Sequence, residues 1–270
     1  MASATSSYTF DNAWQAARER LEASEAWLDP WSQQELKAVG VAAGWKCLEI
    51  GAGGGSIGRW LAGQAGPDGH VVATDLDTRI LEGSAGPHLE VRQHDLNKDT
   101  LEQGWYDLVH ARLVLSHLAN RDEMLEKLIA ALRPGGWIVI EDFDHLTLKQ
   151  MSVPSRVSDQ DATAYKRLLE IALRFLASRG VDGEFGCRLY GLLRAQGLTD
   201  VHAEGRVSID CGGSPFMRFL RLSAAQAGPA LVGKEVTQEE FQRFLELCEE
   251  PHFTAASHTL VSARGRKQSS

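Results

Sequence analysis

The sequence predicts an α/β fold, a doubly wound and mostly parallel sheet carrying lid helices, and three observations predict it. Short apolar runs at 46–50, 70–74, 89–92, 106–110 and 137–141 read as strands. Helical patterns at 56–65, near 77–85 and from about 121 to 132 alternate with them, and strands separated by helices at this spacing make βαβ units. Between the first strand and its helix stands Gly51-Ala52-Gly53-Gly54-Gly55, four glycines in five residues. Glycine has no Cβ, so it permits φ > 0 and lets a ligand lie against bare backbone. Such a loop, following a strand and opening a helix, is a nucleotide-site candidate at the carboxyl edge of a parallel sheet.

The elements follow in order. Residues 11–28 carry Trp14, Ala17, Leu21, Ala26 and Leu28 among charges, an amphipathic helix with Asp11 as its N-cap. Pro30 is expected to end it, and 31–39 to form a second, shorter helix. In the helix at 121–132, Asn120 is the expected N-cap and Glu123 completes a capping box. Pro134-Gly135-Gly136 stops that helix before the strand Trp137–Glu141. After Asp144 the rhythm breaks. Helices are expected at 160–179, 186–196, 214–225 and 237–249, with strands at 201–209 and 257–263. The segments 145–184 and 211–252 exceed ordinary connection lengths and read as cap elements over the sheet edge. The economical reading is a single domain over 1–270: an N-terminal helical lid (1–44), a ligand-binding core (45–144), and cap helices with the last two strands (145–270).

Composition bounds the function. A chain of 270 residues with 43% hydrophobic content fills one large α/β domain, or one domain plus a cap. The net charge of −8 makes it a poor general binder of nucleic-acid phosphates, whose affinity comes mostly from Lys and Arg. Cys47, Cys187, Cys211 and Cys248 form no CxxC pair, so neither structural zinc nor a disulfide framework is expected, and the thiols read as reduced and cytoplasmic. The Ser/Thr/Ala-rich start lacks a signal-peptide pattern, and no apolar run approaches the roughly 18 residues of a membrane span.

The glycine loop fits a dinucleotide poorly. The dinucleotide fingerprint wants a third glycine, and counting from Gly51 that position is Ser56. The pattern is instead acidic-x-Gly-x-Gly-x-Gly: Glu49, Gly51, Gly53, Gly55. Asp75 ends the second strand, where a carboxylate can accept both ribose hydroxyls; the plainer alternative is a helix cap, for which Asp77 competes. Asp95, in His94-Asp95-Leu96, suits an adenine amino group, with the Leu96 N–H toward a ring nitrogen; the plainer alternative is a turn aspartate.

Leu48–Gly55, Val72-Ala73-Thr74-Asp75, His94-Asp95-Leu96, Tyr106-Asp107-Leu108-Val109 and Leu132-Arg133-Pro134-Gly135-Gly136 resemble, in order, the successive motifs of class I S-adenosylmethionine-dependent methyltransferases. The resemblance spans roughly residues 45–143, and the N-terminal helices and late insertion resemble the branch acting on small metabolites, including natural products. It implies a Rossmann-like, seven-stranded sheet with a reversed last strand, S-adenosyl-L-methionine as cofactor and S-adenosyl-L-homocysteine as product. It further implies that Glu49, Gly51, Ala52 and Gly53 border the methionine part, Asp75 binds the ribose, Leu76 packs on the adenine, and Asp95 and Leu96 recognise its edge. His110 would stand where the methyl group meets the acceptor. Dimerisation through the lid helices is implied by the resemblance alone.

Methyl transfer from a sulfonium is an in-line displacement with an activated leaving group, so much of the catalysis is positioning and exclusion of water. A base is needed only where the acceptor must lose a proton early. His110 is the first candidate, since an imidazole titrates near neutrality; the alternative is a strand-end histidine bonded to a loop. His117 is a second candidate by analogy. Asp142, within Glu141-Asp142-Phe143-Asp144-His145 after the fifth strand, is a third; that cluster can orient an amine or hydroxyl or bind a metal, or be a solvated turn. Arg112 reaches the acceptor or pairs with Asp107. Tyr8, Phe10, Trp14, Phe216, Met217, Phe219, Leu220, Phe241, Phe244 and Phe253 supply an apolar lid that favours an aromatic or polyketide-like acceptor. Two alternatives stand beside this reading: a cofactor-binding protein that does not methylate or is repurposed, and a macromolecular methyltransferase, which the acidic balance disfavours.

Overall fold

The computed structural model describes residues 15–81, 83–150 and 158–269. Its elements are α1 (Ala17–Ala38), β1 (Lys46–Ile50), α2 (Ser56–Ala65), β2 (His70–Asp75), β3 (Leu89–Gln93), β4 (Tyr106–Arg112), α3 (Arg121–Ala131), β5 (Leu132–Asp144), α4 (His145–Gln150), α5 (Asp159–Ser178), α6 (Phe185–Ala195), β6 (Thr199–Arg206), β7 (Ile209–Cys211), α7 (Pro215–Leu231), α8 (Gln238–Leu247), β8 (Thr254–Ala256) and β9 (Thr259–Arg266). Among the described residues seven strands form one sheet in the order β3-β2-β1-β4-β5-β9-β6. The first five pair in parallel. β9 runs antiparallel to both β5 and β6, which is the reversed last strand the resemblance implies. Asp11 and the aromatics Tyr8, Phe10 and Trp14 lie outside the described residues.

Successive side chains of a strand face opposite sides of the sheet, so the apolar runs feed two cores. Leu48, Ile50, Val72, Val109, Ala111, Ile138 and Ile140 pack on one side with Leu125 and Leu128 of α3 and Leu189 and Leu193 of α6. Cys47, Val71, Ala73, Leu108 and Val139 pack on the other against Ile57, Leu61 and Ala65 of α2 and Leu36 of α1. A third core gathers α1, α5, α7 and α8 around Trp27, Tyr165, Phe216 and Phe244. This third core is the lid, and it sits beside the carboxyl ends of β4 and β5, since Leu113 and Phe143 pack against it.

The structure corrects several expectations. Pro30 does not end the first helix; α1 runs through it. A helix-interior proline costs about 3 kcal/mol, but both flanks are anchored. Trp27 and Leu28 are buried before it, Ser32, Glu35 and Leu36 after it. Glu35 is also held by Arg206 and Arg264. The helix expected near 77–85 is one 3₁₀ turn, Thr78–Ile80, capped by Asp77. Asn120 does not cap α3; its amide meets the Glu123 carboxylate, so the capping box is not made. The strand expected at 201–209 is split: β6 ends at Arg206, and Ile209 opens β7, which pairs with the unforeseen β8 in a separate ribbon.

Candidate functional site

The glycine loop turns between β1 and α2 with Gly51, Gly53 and Gly55 all in the left-handed region, at φ +67°, +56° and +83°. At Gly51 a Cβ would come within 2.4 Å of Val114 Cγ2, so conformation and space both require glycine. The loop is tied to β2: the Ala52 N–H donates to the Thr74 carbonyl at 2.9 Å, and the Gly53 N–H to Asp75 Oδ2 at 2.9 Å. The second Asp75 oxygen accepts from the Asp77 N–H at 3.1 Å. Burial outweighs these bonds and pushes the Asp75 carboxyl above its usual range. Leu76 is nearly half exposed, and Leu96 is buried. The Asp95 carboxylate accepts from Lys98 and from the Asn97 N–H, and the Lys98 contact holds it below the usual range.

Helix α1 closes over this loop as the expected N-terminal lid, through contacts to Ser56 that no local pattern marks. Glu25 Oε1 accepts the Ser56 N–H at 3.2 Å, and Asp29 Oδ1 accepts the Ser56 hydroxyl at 3.1 Å. A carboxylate therefore occupies the N-terminus of α2, where the helix dipole favours an anion. A dinucleotide would need that position for its pyrophosphate. Burial raises the Glu25 carboxyl. Arg112 lines the cavity described below but does not pair with Asp107; its guanidinium bonds Ser32 Oγ at 2.8 Å and Asp29 Oδ1 at 2.9 Å, latching α1 to β4. Asp107 takes Arg133 and the Lys46 N–H instead.

His110 requires the largest correction. The strand continues to Arg112, so His110 is not at its end. Glu49 and His110 are register partners on β1 and β4. Glu141 lies one strand further, opposite Ser262. Period-two alternation puts Glu49, His110 and Glu141 on the same face. His110 Nδ1 lies 2.6 Å from Glu49 Oε2 and Nε2 3.2 Å from Glu141 Oε2. The ring is 0% exposed and does not line the cavity described below. Full burial favours the neutral ring, but the two carboxylates outweigh it and raise the imidazole to about 9. Glu141 also accepts from Ser32 of α1 and Ser262 of β9. Its own carboxyl is raised by burial and lowered by His110, with the lowering dominant. His110 is thus a strut that joins Glu49 to Glu141 beneath the site, and the two carboxylates favour its protonated form.

The same alternation divides the Glu141–His145 cluster. Glu141 faces the strut, while Asp142 turns to the opposite side and accepts the Ser116 N–H at 3.0 Å and the Phe143 N–H at 3.0 Å. Asp144 caps the start of α4 through the Leu146 N–H. Among the described residues no group of three His, Cys, Asp or Glu is arranged to hold a metal ion.

A cavity of about 730 Å³ runs along the carboxyl edge of the sheet. One half is lined by Glu49 to Gly54, Asp75 to Asp77 and His94 to Asn97. It continues past Leu113, Ser116, His117, Asp142 and Phe143 into a second half lined by Leu, Ala and Phe side chains of α5, α7 and α8. Leu113, which lines the junction, is a non-glycine residue held at φ 58°. Burial pushes Asp142 up to about 6 and His117 down to about 4. Of the expected site residues, Glu49, Gly51, Ala52, Gly53, Asp75, Leu76, Asp95, Leu96, His117 and Asp142 are brought to one cavity; His110 is not. Missed were Glu25 and Asp29, which no local pattern marks, and Glu141 as partner of His110. The alternation of Leu48-Glu49-Ile50, Val109-His110-Ala111 and Ile140-Glu141-Asp142 was a readable signal for that pair.

The donor set fits S-adenosylmethionine. Carboxylates of Glu49, Asp75 and Asp95 line the loop half beside bare glycine backbone, and no lysine cradle for phosphate lies there. Residues 48–138 match the family model described as a methyltransferase domain. The chain is 30% identical over 195 residues to methyltransferase str3 of Strobilurus tenacellus, covering 69% of this chain and 65% of that protein. It is 25% identical over 160 residues to the ubiquinone/menaquinone biosynthesis C-methyltransferase UbiE of Pseudomonas putida (strain GB-1), covering 52% of this chain and 62% of UbiE. The chain thus spans less than two thirds of the length of these relatives. The fold is shared with phosphoethanolamine N-methyltransferase 2 of Haemonchus contortus, solved with S-adenosyl-L-methionine, at a TM-score of 0.59 and 16% identity over 98% of this chain and 60% of that one. Sheet order, glycine loop and sequence likeness agree: residues 48–138 match a methyltransferase domain, and the chain is similar in sequence and fold to S-adenosylmethionine-dependent methyltransferases.

Proposed function

We propose that the protein transfers a methyl group from S-adenosylmethionine to a small, apolar acceptor. The observation that carries this reading is the continuity of the cavity: the glycine-loop half opens directly into the half roofed by α5, α7 and α8. The bound cofactor supplies an electrophilic methyl group on a sulfonium. In this reading Glu49, Gly51, Ala52 and Gly53 border its methionine part. Asp75, already ordered by two backbone N–H groups, accepts the ribose hydroxyls with its remaining lone pairs. Leu76 packs on the adenine, and Asp95 and Leu96 read its edge.

The protein's contribution is positioning and dryness. Leu168, Ala172, Leu220, Ala224 and Phe241 give the acceptor half apolar walls, and excluding water strengthens every charge interaction near the reacting atoms. Asp142 is the lining group suited to receive a proton from the acceptor near neutral pH, because burial sets its carboxyl at about 6. His117, pushed down to about 4, stays neutral and acts as a hydrogen-bond partner. The likeness to UbiE, named for ubiquinone/menaquinone biosynthesis, supports a small-molecule acceptor, and an acceptor site under the lid is reached by a small molecule rather than by RNA.

The test is transfer of radiolabelled methyl from S-adenosylmethionine into a panel of naphthols and hydroquinones, read as label extracted into organic solvent. Wild type is expected to label members of the panel. Ala224→Phe, which fills the acceptor half, should lower labelling at least tenfold while S-adenosylhomocysteine still binds. A protein that binds S-adenosylhomocysteine and labels nothing in the panel would overturn the proposed activity.

A further inference from the structure

The polar groups of the acceptor half are few, and one of them lacks a partner. His258 stands between β8 and β9, is only 6% exposed, and lines the cavity beside Phe143 and His145. Its Nδ1 is buried with no hydrogen-bond partner. A buried polar atom left unbonded costs about 1–3 kcal/mol, so on a residue that lines a cavity it offers a bond that a ligand group entering there can complete. The ring is fixed by aromatic neighbours, with Phe143 at 5.1 Å, Phe216 edge-on at 5.8 Å and His145 at 5.2 Å between centroids. Trp27 of the lid stacks on Phe143 at 5.7 Å and holds that wall in place. His145 is itself confined, since a Cβ on Gly183 would come within 2.5 Å of its Nδ1.

We propose that His258 receives a hydroxyl of the acceptor, and that the acceptor is therefore a flat, uncharged aromatic alcohol; this rests on the methyltransferase reading above. The aromatic wall of Phe143, Phe219, Phe241 and Phe244 suits a planar ring. The roof helices α5, α7 and α8 add only one hydroxyl, that of Ser223, whose Oγ is also buried without a partner. Burial, and then His145, push the His258 imidazole down to about 3, so it is neutral near physiological pH. A neutral ring has one N–H and one bare nitrogen. A hydroxyl, which both donates and accepts, satisfies either tautomer. A carboxylate or phosphate would enter without the opposite charge of an imidazolium, which this site suppresses.

The experiment compares 2-naphthol with naphthalene as ligands of the protein loaded with S-adenosylhomocysteine, by saturation-transfer NMR titration. Wild type is expected to bind 2-naphthol about tenfold more tightly, the effect of one hydrogen bond to a buried group. His258→Phe should keep naphthalene and S-adenosylhomocysteine binding and bring the two ligands within twofold of each other. His258→Asn, which restores a polar atom near the place of Nδ1, should recover part of the preference and guards against a folding defect in the first variant. A preference that survives in His258→Phe, or no binding of 2-naphthol by the loaded wild type, would overturn the assignment. Failure of the wild type to bind S-adenosylhomocysteine at all would strike the underlying methyltransferase reading instead.

Discussion

Replacing His110 with alanine removes the cation that joins Glu49 to Glu141. All three side chains are buried, with Glu49 at 3% exposure and the other two at 0%. The variant leaves two carboxylates facing an empty space without their imidazolium. Breaking a buried ion pair from one side costs about 3–5 kcal/mol. The rise of the imidazole from 6.5 to about 9 gives a similar size, about 3 kcal/mol at roughly 1.4 kcal/mol per pH unit. For a chain of this size roughly 2–4 °C is lost per kcal/mol, so the melting temperature should fall by roughly 6–20 °C. The pH dependence has a definite sign. A group whose pKa is raised on folding contributes its stability fully below the unfolded value, about 6.5, and loses it as pH rises through about 9. Thermal unfolding of wild type and His110→Ala, followed by circular dichroism from pH 6 to pH 9, should show a gap that is largest at pH 6 and narrows toward pH 9. A gap below 2 °C at pH 6, or one that stays constant to pH 9, would refute the strut. Turnover lost with no change in stability would restore His110 to the chemistry.

Two further substitutions probe the loop. Asp75→Ala removes the acceptor of the Gly53 and Asp77 N–H groups and the proposed ribose contact; calorimetry should show S-adenosylhomocysteine binding weakened by about 10–100-fold, from a charged hydrogen-bond pair of about 1.5–3 kcal/mol. Unchanged affinity would remove Asp75 from the site. Gly51→Ala forces a Cβ into Val114 at φ +67° and should lower both melting temperature and cofactor affinity, by about 1–3 kcal/mol of strain; the double variant with Val114→Ala should recover the steric part only, and full recovery would show that the left-handed backbone is not costly there.

How far the sequence spoke for itself varied with the range of the interactions involved. The strands at 46–50, 70–75 and 89–93 were legible to within a residue, because each is an apolar run closed by a turn. The order glycine loop, Asp75, Asp95 was legible because three successive strand ends supply it. Pro30 misled because local propensity marks it as a breaker, whereas burial on both flanks holds α1 together. His110 misled because Arg112 breaks the apolar run early, although the arginine is latched to α1 and the strand continues. The pairing of Glu25 and Asp29 with Ser56 joins residues about thirty positions apart, and no periodicity encodes it. His258 lies near the end of the chain, and only folding brings it to a wall shared with Phe143.

The most direct test of the central claim is calorimetric titration of the purified protein with S-adenosylhomocysteine, with NAD as the control. Glycine backbone, Asp75 and Asp95 on one cavity wall, and Glu25 seated where a pyrophosphate would lie, predict micromolar binding of the first and none of the second. No binding of S-adenosylhomocysteine, or binding of NAD in its place, would contradict the account.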